Sequence, residues 1–469
     1  MKKIILLPVE VKSRELDSKI ILSLHLLEKF SDRVEIILGK SREINRFWKS
    51  TNLKPFIYFA NGLDNDEIFY RDLNKKKGSF VFLDEEGAII SKITENKFPR
   101  IQDDHPCLEY TERYYFWGKN SETDLLKRQI SFESNKSVIC GNLRLELSKP
   151  KYFNFFKSYY KNHYKDYVLI NTAFGVANAI VDSNVEINHW KNKKNSSNIE
   201  GNMSAPMKYQ KKLLKHFVIG IKRLVKKFSN EKFIIRPHPS ENIIFYKNEF
   251  KEFKNINIIQ DGPVQQWITD CKFIIHPGCT TAIETFFAEK NAICFSPHFD
   301  ENHIQMLTYL ISDKAKTYEE LENLFVINLS NPKENFERKR INNLKIIKPY
   351  IDNIDYNSFE ILSEDLFGLA EKKVKSFYYK IGYSWKDYVP QIFKQFFNYF
   401  KLIVKIILNK KKYDQEKLLK NKDNLKFDEL PIIELKEKIN IYKKLNNYFF
   451  KTKINVIRKN TYSISIVND

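Results

Sequence analysis

Short apolar runs alternate with stretches of helical period through the first 150 residues. IILLPV (4–9), VEIILG (34–39), PFIYFA (55–60) and SFVFLD (79–84) read as strands. Between the first two, Ile20, Ile21, Leu24 and Leu27 recur at helical spacing across 18–30. YYFWG (114–118) and SVICGN (137–142) bracket a helix near 122–129. Strands alternating with helices predict a parallel sheet covered on both faces. An aromatic, basic stretch (151–163) leads into a second series that opens with DYVLINTAFG (166–175). A polar stretch (184–205) reads as a loop, and an amphipathic helix follows over 208–228. KFIIRPHPS (232–240), INIIQD (256–261), CKFIIHPG (271–278) and NAICFSP (291–297) read as strands, with a helix near 280–289. Beyond about residue 335 the pattern turns helical. The expected fold is α/β, with doubly wound domains at 1–160 and 161–335 and a helical, basic tail at 336–469.

Composition supports this division. The chain has 469 residues and is 42% hydrophobic, which fits two or three domains with full cores. Its formal net charge is +21, of which residues 371–469 carry +13 and the first 370 residues +8. The excess implies an anionic partner. PQIFKQFFNYFKLIVKIILNKKK (390–412) is apolar but contains Lys394, Lys401 and Lys405. It is too charged to span a bilayer and suits an anionic membrane surface, while a basic helix packed on the sheet domains fits equally. No run of 18 apolar residues occurs, so no spanning helix is expected. The opening MKKIILLPVE lacks a small-residue cleavage site and reads as a first buried strand. Cys107, Cys140, Cys271, Cys279 and Cys294 are odd in number and show no CxxC spacing. A reduced, cytoplasmic chain is expected, peripheral on the inner face of the membrane.

Four segments can carry chemistry. Arg236-Pro237-His238-Pro239 ends an apolar strand, where open α/β sheets bind ligands, and a guanidinium with an imidazole suits phosphate oxygens. A Pro-punctuated strand exit is the plain alternative. His276-Pro277-Gly278-Cys279-Thr280-Thr281-Ala282-Ile283-Glu284 follows some forty residues later. Gly278, Thr280 and Thr281 open a helix whose N–H groups can bind an anion, and Glu284 one turn in can accept from ribose hydroxyls. Thr281 and Glu284 also have the spacing of a capping box. Asp84-Glu85-Glu86-Gly87 places three acids on a turn after a strand, either solvated or used as a general base or nucleophile. The first loop, Glu10 to Asp17, contains Arg14 and Glu15, with Ser13 a candidate helix cap.

GxGxxG, GxxxxGK[ST] and GxSxG patterns are missing. Metal-independent chemistry without a cofactor is expected. No RNP-like segment supports a nucleic-acid partner.

The ordered set LLPVEVKSRELDSK, LDEEG, FWG, CGNLRLEL, INTAFG, RPHP and HPGCTTAIE resembles the bacterial surface carbohydrate biosynthesis proteins over about residues 1–330. Leu143 stands where the motif has Pro. The resemblance implies a GT-B-type glycosyltransferase with two Rossmann-like domains facing a cleft. Its partners would be a nucleotide-sugar donor and a glycan or lipid-linked glycan acceptor, and its product a capsule, O-antigen or similar glycan. The acidic and His-Pro motifs are similar to those of sialyl and Kdo transferases, which use CMP-activated sugars. That wider resemblance implies Glu85 or Glu86 as the catalytic carboxylate and His238 as the group on the leaving phosphate. Arg236, His276, Gly278, Thr280, Thr281 and Glu284 would hold the nucleotide sugar, and Arg14 and Glu15 would face the acceptor. A CDP-polyol phosphotransferase, a nucleotide-sugar epimerase and a non-catalytic binder of anionic membranes or polymers are the alternatives.

Overall fold

The computed structural model describes residues 2–87 apart from 52, 54, 64 and 65, then 106–128, 133–180, 199–372 and 426–467. The amphipathic segment 390–412 and most of the polar stretch 184–205 lie outside them. No helix among the described residues is long and apolar enough to cross a membrane.

Two sheets organise the chain, as expected for two Rossmann-like domains. The first orders its strands β13-β14-β2-β1-β3-β4-β5-β6. Strands β1 (Lys3–Val9), β2 (Val34–Lys40), β3 (Phe56–Ala60), β4 (Gly78–Leu83), β5 (Thr111–Phe116) and β6 (Ser137–Ile139) run parallel. The second orders them β12-β11-β10-β7-β8-β9, all parallel: β7 (Tyr167–Asn171), β8 (Lys232–Arg236), β9 (Ile256–Ile258), β10 (Cys271–His276), β11 (Ala292–Phe295) and β12 (Asp313–Ala315). Read from β9, this is the 3-2-1-4-5-6 order of a doubly wound domain. Strands covered on both faces need apolar residues at successive positions, and β3, β4 and β7 are buried at every one.

Winding direction reverses between β1 and β3 in the first sheet and between β7 and β10 in the second. At such a point neighbouring loops diverge and leave a crevice at the carboxyl ends of the strands.

One hydrophobic core runs through both domains. It joins Leu7, Ile21 and Leu38 of the first to Leu169, Ile274 and Phe286 of the second. Separate clusters cover the outer face of each sheet. The chain returns to the first domain after α13 (Pro332–Ile347), and α14 (Ser358–Lys372) packs on α1 (Lys12–Phe30), where Phe367 stacks on Phe30 at 3.8 Å.

The tail departs from the helical unit expected. Residues 426–467 contain one helix, α15 (Ile432–Leu445), and a hairpin, β13 (Thr452–Arg458) with β14 (Thr461–Ile466). Strand β14 pairs antiparallel with β2 and so extends the first sheet. Its TYSISI run alternates β-branched or aromatic residues with serine, a strand signal that the surrounding Lys and Asn obscured. Helix α15 is anchored by Lys438, which is buried and donates to Asp17 and to the Tyr160 hydroxyl, both at 2.6 Å. Truncation of one partner leaves the other charge buried and unpaired. Lys438→Ala is expected to cost about 3–5 kcal/mol, read as a lowered urea midpoint. An unchanged midpoint would show that the tail is not held by this pair.

Candidate functional site

The first sheet's half of the site is built around Asn61, immediately after β3. Its side-chain carbonyl accepts from Lys19 at 2.7 Å, its amide donates to Glu15, and its backbone carbonyl accepts from the Glu85 N–H at 3.2 Å. Glu15 is fully buried and accepts the N–H groups of Glu10 (2.8 Å) and Val11 (3.2 Å) and the Arg14 guanidinium (3.0 Å). It thus satisfies donors where α1 begins, and Ser13 is not the cap: the helix starts at Lys12 after Val11. Burial pushes the Glu15 carboxyl up, with Arg14 opposing. Lys19 is buried over the Phe59 ring at 4.4 Å, and burial pulls its ammonium down to about 8 against the pull of Glu85 and Glu15.

The acidic turn after β4 separates two neighbouring carboxylates. Glu85 is buried, with one oxygen lacking any partner. Glu86 is partly exposed and pairs with Arg14 at 3.1 Å. Trp117 holds the turn, its indole N–H donating to the Asp84 carbonyl at 2.6 Å.

In the second domain, Arg236 ends β8, nearly buried. It donates to the Gly262 carbonyl at 2.7 Å, while its Nε lacks a partner. Burial lowers its pKa, opposed first by Glu284. Asn171, beside it at the end of β7, has both amide atoms buried and unpartnered. His238 sits exposed on the next loop, its Nδ1 2.7 Å from the Ser240 hydroxyl. That loop is shaped from below by buried Glu241, which accepts from the N–H groups of His238 (3.1 Å) and Phe174 (3.0 Å) and the hydroxyls of Thr172 (2.8 Å) and Tyr246. Burial raises the Glu241 carboxyl despite these donors.

The loop after β10 distributes its roles differently from the motif reading. His276 is fully buried: Nδ1 accepts from the N–H groups of Gly278 and Cys279, both at 3.0 Å, and Nε2 lies 2.9 Å from the Ser312 hydroxyl. Both ring nitrogens are therefore engaged inside the protein, and His276 shapes the loop. Gly278 adopts φ +107°, where a side chain would be strained. The capping box does not form. Thr280 makes no side-chain cap, and the Thr281 hydroxyl and one Glu284 oxygen are buried without partners.

Glu284 turns instead across the cleft. Its Oε1 lies 2.9 Å from Nε of Arg144, which comes from the first domain. The contact is an ion pair off the hydrogen-bond axis, since Arg144 Nε has no aligned acceptor. Asn142 aims Arg144 by capping the short helix α5 (Leu143–Glu146), accepting the N–H groups of Arg144 at 2.8 Å and Leu145 at 3.3 Å. Leu143 occupies the first helical position, where Pro is also favoured, so the turn keeps its form with Leu in place of Pro. Burial pushes the Glu284 carboxyl up; Arg144, Arg236 and Arg14 pull it down, and Glu85 pushes it further up. Those couplings tie both domains into one charged cluster.

The fold thus joins Arg14, Glu15, Glu85 and Glu86 on one side with Arg236, Thr281 and Glu284 on the other. It leaves His238 on the rim and His276 behind the loop. Lys19, Asn61, Arg144, Glu241 and Asn171 were not singled out as site residues, although Lys19, Arg144 and Asn171 lie inside LLPVEVKSRELDSK, CGNLRLEL and INTAFG.

No protein-family profile matches the chain, and no curated protein matches it. Several solved structures are similar. One is a UDP-GlcNAc 2-epimerase from Neisseria meningitidis bound to UDP-GlcNAc: 11% identity, TM-score 0.48, over 78% of this chain and 100% of that one. Another is a Methanocaldococcus jannaschii UDP-GlcNAc 2-epimerase in complex with UDP-GlcNAc and UDP: 14% identity, TM-score 0.45, over 78% and 100%. A third is the wall teichoic acid polymerase TagF: 7% identity, TM-score 0.48, over 80% and 90%. Likeness of this size says nothing of activity; the two-domain fold is read from the chain's own sheets.

Burial holds two imidazoles neutral, His276 at about 3 and His25 at about 4. The unfolded chain takes up these protons below pH 6.5 and the folded chain does not, so each group contributes stability that is lost as the pH falls from 6.5. The loss from each should reach roughly 3 kcal/mol by pH 4. In urea titrations at pH 7, 5.5 and 4.5, the stability gap between wild type and His276→Asn should narrow with acid. A constant gap would contradict the buried neutral imidazole.

Proposed function

We propose that the protein is a glycosyltransferase that uses a nucleotide-sugar donor to build a surface glycan. The observation that carries the reading is the convergence of three guanidiniums (Arg14, Arg144, Arg236) and two carboxylates (Glu85, Glu284), with Nε of Arg14 and Arg236 and one oxygen each of Glu85 and Glu284 buried and unpartnered. An unsatisfied buried polar group costs roughly 1–3 kcal/mol. Several such groups around one crevice fit a bound anionic ligand with many hydrogen-bonding atoms.

In this reading Arg236 and Thr281 take the donor phosphate and Glu284 the ribose hydroxyls. Glu85 is the base. Its free oxygen accepts the proton of the acceptor hydroxyl as the hydroxyl oxygen bonds to the anomeric carbon. The bond from carbon to phosphate oxygen breaks, and its electron pair leaves on the phosphate, where Arg236, Arg144 and His238 at the rim offset the charge. Glu86, already paired with Arg14, positions that arginine. The resemblance to transferases of CMP-activated sugars makes a Kdo or nonulosonic acid donor the first to test.

A second reading has an observation of its own. Glu85 and Glu284 come from opposite domains, and each keeps one unpartnered oxygen. Two such carboxylates can serve as base and acid on a single bound nucleotide sugar, which is the need of an epimerase.

CMP, CDP, UDP and GDP should be compared by thermal shift. One base should stabilise the protein above the others, and Arg236→Ala should abolish that shift. Stabilisation by none would overturn the nucleotide site. Glu85→Gln should lower turnover by about 10²–10³ with the nucleotide shift retained, whereas full activity would remove Glu85 from the mechanism. Product analysis with the responding nucleotide sugar alone separates the readings, since a new epimer without acceptor would replace the transferase by the epimerase.

A further inference from the structure

A cavity of about 390 Å³ opens where the chain returns to the first domain, lined by Lys119, Ile139, Lys345, Lys348, Pro349 and Asp352. Ile139 ends β6, and Lys119 begins α4 (Lys119–Arg128) directly after β5. The other four residues come from the end of α13 and the turn beyond it. The two walls are fastened together: the Asn120 N–H donates to the Pro349 carbonyl at 2.8 Å, and the Asp352 N–H to the Trp117 carbonyl at 2.6 Å. Gly118 has no room for a side chain, since a Cβ there would lie 2.4 Å from the Tyr350 carbonyl carbon. Trp117, which braces the acidic turn through Asp84, is two residues from Lys119. The cavity is therefore a built feature on the same end of the sheet as Glu85.

Its chemistry differs from that of the cleft. Ile139, Pro349 and the methylene stems of three lysines give an apolar body with ammonium groups at the rim. Lys119 pairs with the buried Glu122 on its own helix, and Lys348 pairs with Asp355. Lys345 makes no ion pair among the described residues. Asp352, the one carboxyl in the lining, is pushed up by burial and by Asp355, against the pull of Lys348.

We propose that this cavity binds the head of a phosphate ester carrying an apolar chain, the chemistry that a lipid-linked glycan acceptor presents. Its role as an acceptor site rests on the transferase reading; the binding itself does not. Apolar walls select the chain and the lysine rim selects the phosphate, so neither part alone should bind well.

The full-length protein is titrated with n-decyl phosphate below its micelle concentration, following intrinsic tryptophan fluorescence, with inorganic phosphate and n-decanol as separate arms. Decyl phosphate should bind at least about ten-fold tighter than either. The double variant Lys345→Glu/Lys348→Glu should lose about ten-fold of that affinity, with its nucleotide-induced shift unchanged. Both lysines are exposed, so the variant should fold, and Ile139→Asp in a second variant tests the apolar wall. Equal binding of inorganic phosphate would overturn the amphiphile, and binding that ignores all these substitutions would overturn the site. If a nucleotide stabilises the protein and decyl phosphate does not bind, the cavity proposal alone fails. If decyl phosphate binds and no nucleotide stabilises, the transferase reading fails and the cavity stands.

Discussion

The pairing of Arg144 with Glu284 is the constraint on which the site depends. It is the point where a side chain aimed by the first sheet meets one aimed by the second. Removing two charges from water is costly, and a buried pair returns that cost only with good geometry and further hydrogen bonds. Here Arg144 Nε lacks an aligned acceptor and one Glu284 oxygen has no partner. The pair is therefore poor as a stability device, and the proposed reading makes it half of a binding site.

Its surroundings show how the chain pays for that arrangement. A continuous apolar core passes behind the cleft, from Leu7 and Leu38 to Leu169 and Ile274. A large apolar interface restricts relative domain motion, so the charged groups are held at fixed separation. The tail adds to the restraint. Helix α15 fixes α1 through Lys438 and Asp17, and Lys12 reaches Glu434 at 2.8 Å. The helix so held carries Arg14, Glu15 and Lys19, the last two buried against Asn61. A basic C-terminal region that reads as an appendage is thus, in its last forty residues, part of the first domain.

The strands and the two doubly wound units were legible because strands covered on both faces need apolar runs, and these are local. The hairpin at 452–466 was not, since its partner β2 lies some 420 residues earlier and a short alternating run is ambiguous without it. The site was legible where a motif sits at a strand end, as with Glu85, Arg236 and Glu284. Roles within a motif were less so. His276 and His238 carry the same His-Pro signature, yet one is sealed behind its loop and the other exposed, because burial is decided by Ser312 and by the loop's own N–H groups. The Thr281–Glu284 spacing fits a capping box until Arg144, 140 residues away, supplies a stronger partner. Asn61 and Glu241 organise their loops through backbone contacts that no residue spacing reveals.

The central claim is that Arg144 and Glu284 act together on one ligand. A double-mutant cycle on nucleotide affinity tests it most directly, using Arg144→Met, Glu284→Gln and the pair with the nucleotide that stabilises the wild type best. The account predicts that each single variant weakens binding and that the double variant departs from additivity by about 1–3 kcal/mol. Additive effects, or affinity unchanged in both single variants, would contradict it.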